Sequence, residues 1–123
     1  MAEITRKLNK TGFEILILYF VVPSKAPVDL SAVNSSGPYS IIVSWKPVPD
    51  CFVHGILRGY RVLYKLLTIA EESVQAKTVI KTTDEKTLTT TLEGLENYGV
   101  YDIRVLAFTI KGDGTVSQSI AAG

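Results

Sequence analysis

Cys51 and His54 share the stretch "DCFVH" (50–54), where the chain's one cysteine and one histidine lie close together. Such a pair performs nucleophilic chemistry when the thiolate sits in an electropositive setting, the base is oriented, and an oxyanion site stands beside it. The stretch supplies no third group, so these residues read as a loop, and an enzyme is not expected. One histidine and one cysteine fall short of a zinc ligand set, so no metal or other cofactor is expected either. A lone cysteine also closes no internal disulfide. Asn34-Ser35-Ser36 and Asn9-Lys10-Thr11 have the form that accepts an N-linked glycan; the first lies in a turn, where that chemistry needs it. Thirteen basic residues against 12 acidic ones leave no basic stripe for a phosphate backbone, which excludes nucleic acid as the expected partner.

The elements that must position these residues are strands. "SIIVSW" (40–45) sets Ile41, Val43 and Trp45 on one face, and "GYRVLYK" (59–65) does the same with Tyr60, Val62 and Tyr64. "TLTTTL" (87–92) gathers Leu88, Thr90 and Leu92. In "YGVYDIRVLAF" (98–108), Tyr101, Ile103, Val105 and Ala107 oppose Asp102, Arg104, Leu106 and Phe108. "VDLSAV" (28–33), "KTVIKT" (77–82) and "TVSQSI" (115–120) complete a set of seven. Turn chemistry separates them at "NSSGP" (34–38), "KPVPD" (46–50), "TTDEK" (82–86), "EGLENYG" (93–99) and "KGDG" (111–114). "LLTIAEESVQAK" (66–77) reads as a loop leading into a strand. With 46% apolar and 20% charged residues, 123 residues suffice for one domain with one core, centred on Trp45 and Tyr60. The pattern predicts an all-β, antiparallel sandwich.

Tyr101 follows "ENYGV" and opens the sixth strand, where a tyrosine can bury its ring and turn its hydroxyl back onto upstream backbone. "LEGL" (92–95), Tyr101, Ile103, Val105 and Ala107, then "KGDG" and Ser117, in that order, resemble a fibronectin type III domain. "VPSKAPVDLSA" (22–32), Trp45 in the second strand and "GYRVLYK" in the third fall where that family has them. The likeness covers residues 23–123. Asn97 and Tyr98 stand where the family usually turns on proline with glycine or asparagine, leaving Gly99 to compensate. The "DCFVHG" loop is more apolar than is usual, and the last strand has little chain left to form in.

The resemblance implies a seven-stranded, immunoglobulin-like sandwich with Trp45, Tyr60, Leu92, Leu95 and Tyr101 in its structural core. It implies a non-enzymatic interaction or spacer module of a multidomain adhesion or receptor protein. The residues are most similar to modules of neural adhesion molecules and receptor-type tyrosine phosphatases. The partners would be proteins or neighbouring domains, the location extracellular or at the cell surface, with no membrane insertion by the module itself. Phe52 and Val53 in one end loop, and Lys111, Gly112 and Asp113 in another, are the candidate partner-binding residues. Gly112 and Gly114 are expected to supply positive φ, and Asn34 to carry a glycan. Two other readings stay open. One is a structural module of an intracellular filament or scaffold protein; the other is an integrin ligand, since some family members carry Arg-Gly-Asp where this chain has Lys-Gly-Asp.

Residues 1–22 lie outside the module. Arg6, Lys7 and Lys10 precede an apolar run from Ile15 to Val22, too short to span a bilayer as a helix. The segment is either signal-like or an added edge strand.

Overall fold

The computed structural model describes residues 2–8, 12, 14–20, 22–34 and 39–123. β1 (Ala2–Leu8) and β2 (Glu14–Phe20) pair antiparallel from Ala2 opposite Phe20 to Leu8 opposite Glu14. They form a two-stranded sheet of their own. Next come β3 (Val28–Asn34), β4 (Ile41–Lys46), a single 3-10 turn (Asp50–Phe52) and β5 (Leu57–Ile69). β6 (Glu72–Ser73), β7 (Val79–Asp84) and β8 (Thr89–Leu92) follow. β9 (Gly99–Thr109), β10 (Gly112–Asp113) and β11 (Ile120–Ala122) complete the order.

Two antiparallel sheets face each other. One has the order β3-β4-β8; in the other, β9 lies between β5 and the pair β10 and β11, and β5 carries β6 and β7. Alternation makes the core. Ile41, Val43 and Trp45 of β4 are buried while Ile42 and Ser44 between them are half-buried. Tyr60 and Val62 of β5 meet Ile103, Val105 and Ala107 of β9 across the register, and all five are fully buried. Trp45 and Tyr60 join the sheets, with ring centroids 5.5 Å apart.

Three features depart from the sequence pattern. β5 runs on to Ile69, because Leu66, Thr68 and Ile69 pair with Tyr101, Val100 and Gly99. It then reverses through Ala70 and Glu71, at φ 49° and 69°, into β6. No glycine or asparagine marks that turn, so the stretch read as a loop is half of a hairpin. Residues 115–119 lie outside the ladder that β11 forms: the Thr115 amide donates to Pro23 O, and Val105 N donates to the Ser117 hydroxyl. Leu88 is exposed, not grouped with buried Leu92.

The outward face of β9 is covered from within the sheet. Leu106 is buried, and the Arg61 guanidinium lies 4.1 Å from the centre of the Phe108 ring. Gly59, opposite Phe108, has no space for a side chain, since a Cβ there would stand 2.0 Å from Thr83 O and 3.0 Å from that ring. At the start of β9, Tyr101 is buried and its hydroxyl accepts a 2.8 Å bond from the amide of Glu96, five residues upstream. The positive φ of that turn falls on Tyr98 (57°), with Gly99 needed for space instead: a Cβ on Gly99 would meet Leu66 at 2.9 Å.

Candidate functional site

The two loops that held the candidate partner-binding residues lie at one end of the sandwich, and the structure brings them together around the chain's own lead-in segment. β4 ends at Lys46, and Pro47 and Pro49 carry the backbone out to the 3-10 turn. Val53 then folds inward and joins the core, while Phe52 packs against it half-buried. On the other side, β9 and β10 form a hairpin whose register sets Gly112 opposite Thr109.

Residues 22–25 lie between these loops. The Ser24 amide donates to Phe52 O at 2.8 Å, and Pro23 O accepts from Thr115 N at 3.1 Å. The Ser24 hydroxyl and His54 Nε2 are 2.8 Å apart, their donor and acceptor roles following the imidazole tautomer. Lys25 Nζ stands 4.2 Å over the Phe52 ring. Val22 and Pro23 are buried. Gly112 has positive φ (141°), as expected; Gly114 does not. Gly114 is required for close approach, because a Cβ there would sit 2.5 Å from Pro23 Cβ and 2.7 Å from Pro23 O. Together these contacts make a lead-in clamp of backbone bonds, one hydroxyl–imidazole bond and one cation–π contact.

Of the Lys-Gly-Asp residues, Gly112 and Asp113 form β10, and Lys111 lies in the turn before it. Asp113 Oδ1 accepts from Arg61 Nη1 at 2.7 Å, and the same guanidinium covers Phe108. The Lys111 amide donates to Thr109 Oγ1. Cys51 is exposed, while His54 Nε2 faces Ser24. Among the described residues, no group of three or more His, Cys, Asp or Glu side chains could hold a metal ion. Asn34 closes β3 and is exposed; Ser35 and Ser36, which complete its acceptor triplet, lie outside the described residues, as does Asn9-Lys10-Thr11. Of the remaining core candidates, Trp45, Tyr60, Leu92 and Leu95 are all buried. Ser24, Lys25 and Arg61 carried no local signal, because each acts across a sequence separation that loop composition does not encode. The prolines at 23 and 27 were the one hint that this segment is held.

The model of the fibronectin type III domain matches residues 25–122. This chain belongs to that family. Within it, the chain is 42% identical over 99 residues to the cell adhesion molecule DSCAM of Rattus norvegicus, covering 80% of this chain and 5% of that protein. It is 37% identical over 99 residues to protein sidekick-1 of Gallus gallus, covering 80% of this chain and 4% of that protein. The third fibronectin III domain of human KIAA0343 protein superimposes with a TM-score of 0.73 at 26% identity, covering 84% of this chain and 83% of that one. The chain thus spans about 5% of the length of the first curated relatives it matches. No helix among the described residues is long and apolar enough to cross a membrane.

Proposed function

We propose that this fibronectin type III domain is a non-enzymatic spacer and protein-interaction module of a multidomain adhesion protein, working outside the cell or at its surface. The lead-in clamp is the observation that carries this reading. Two loops that could have projected freely grip residues 22–25, so chain arriving from upstream meets the sandwich at a fixed place and direction. A module that passes on orientation rather than slack sets distances and angles between its neighbours. Relatives that are cell adhesion molecules favour the extracellular setting over the filament reading. The integrin reading has less support, since the Asp113 carboxylate is already engaged by Arg61.

Amide hydrogen exchange on the full chain tests the fixed lead-in. The Ser24 and Thr115 amides should exchange as slowly as those of the β5–β9 ladder, because opening them requires the loops to separate. Exchange at the rate of an unstructured peptide would remove the basis for a rigid junction.

A further inference from the structure

β1 and β2 form a sheet apart from the sandwich: among the described residues, neither strand pairs with any of β3 to β11. A two-stranded hairpin by itself is marginal in water, since it buries little and leaves a free edge on each side. The two edges differ. β1, "AEITRKL", carries Glu3, Arg6 and Lys7, charges of the kind that discourage an edge from recruiting another strand. β2, "EILILYF", has one charge, Glu14, at its first position, then six apolar residues in succession with no proline or glycine. A strand with one face in water alternates apolar with polar residues, whereas an unbroken apolar run marks a strand covered on both faces. β2 thus has the composition of an inner strand and, with β1 as its one neighbour in the sheet, the place of an edge.

We propose that β2 pairs antiparallel with β2 of a second copy of this chain, giving a four-stranded sheet in the order β1-β2-β2-β1. Three features select this occupant. A two-fold axis beside Ile17 engages the whole of β2, with Ile17 opposite its own copy, Leu16 opposite Leu18 and Ile15 opposite Tyr19. The same register sets each Glu14 opposite Phe20 of the second copy, so the two carboxylates stand at opposite ends and no like charges face each other. A parallel pairing in register would instead place Glu14 beside Glu14. Finally, the union uses the uncharged edge of both hairpins. It leaves outside only the β1 edges with Glu3, Arg6 and Lys7, so association closes at two copies. The gripped residues 22–25 follow β2 closely in the chain, so the pairing links two modules to each other. This goes beyond the spacer reading and does not depend on its extracellular setting.

Sedimentation of the full chain tests this, under reducing conditions that keep exposed Cys51 from linking copies. A species of twice the chain mass should be present at about 100 μM. Ile17→Lys sets two cations opposite each other and should leave the chain monomeric at that concentration, and Ile17→Glu should do the same with two carboxylates. Mixed in equal amounts, the two variants should dimerise again, because a cation then faces a carboxylate across the axis. A hairpin that had merely unfolded would give no such recovery. A full chain that stays monomeric at about 100 μM would overturn the proposal. So would single variants that still dimerise, a mixture that does not, or growth past two copies. The spacer reading stands or falls separately, on exchange at the Ser24 and Thr115 amides.

Discussion

Tyr60 and Tyr101 stand on paired strands, yet the fold treats their hydroxyls differently. The Tyr101 hydroxyl takes the Glu96 amide, so a buried ring and an otherwise orphaned donor are satisfied together. Replacing Tyr101 by Phe should cost about 1–3 kcal/mol in denaturant unfolding, because that amide is left unpaired. The Tyr60 hydroxyl is buried with no hydrogen-bond partner among the described residues, and burial raises its pKa. Tyr60→Phe should therefore leave stability unchanged or raise it by up to about 1 kcal/mol. A loss larger than that would mean the hydroxyl has a partner in solution. The raised folded pKa has a further consequence: the neutral phenol's contribution is intact below pH 10, the usual tyrosine value, and stability falls as pH climbs from there through the folded value.

Among the elements, the hairpins carry the information. Ala70 and Glu71 both take left-handed φ with side chains that disfavour it. Their turn holds because β5 is anchored to β9 as far as Ile69 opposite Gly99, and Ala70 N continues that edge by donating to Tyr98 O. Glu71→Gly should raise stability by about 0.5–1 kcal/mol, measured by thermal or denaturant unfolding, because the strain goes while the contacts stay. The turn after β7 is held by a carboxylate. Asp84 accepts from the Thr87 hydroxyl at 2.7 Å and from the Lys86 and Thr87 amides at 2.9 Å, and these bonds, led by the Thr87 hydroxyl, lower its pKa. Its contribution is present above the usual carboxylate pKa and is lost as pH falls through the lower folded value. The Lys86 and Thr87 amide resonances should shift in that acid window and stay fixed in Asp84→Asn. At the open side of the sandwich, Lys81 Nζ donates to Thr91 O and blocks a free strand edge of β8 that could otherwise recruit another chain.

For the whole molecule, one aromatic pair and one clamp matter most. Trp45 joins the sheets against Tyr60, and Trp45→Ala should cost about 3–5 kcal/mol, a large part of the stability of a domain this size. Cooperative unfolding of that variant near ambient temperature would bear this out; a loss below about 1 kcal/mol would place the centre of the core elsewhere. Alternation of apolar residues in "SIIVSW" and "YGVYDIRVLAF" was enough to read β4, β9 and the buried face of each, because burial on one side of a strand imposes a period of two. The turn at Asp84 was readable for a similar reason: its chemistry is local. The continuation of β5 past Leu66 was not, since Ala70 and Glu71 turn only because β9 holds the strand before them. Nor could the loop residues reveal that Phe52, His54 and Thr115 grip the lead-in segment. Strand identity, the core and the family follow from neighbours in the chain, whose spacing is written in residue order. The clamp and the engaged Asp113 arise between residues far apart in sequence, and they exist only once two sheets have closed and set the loops at one end against one another.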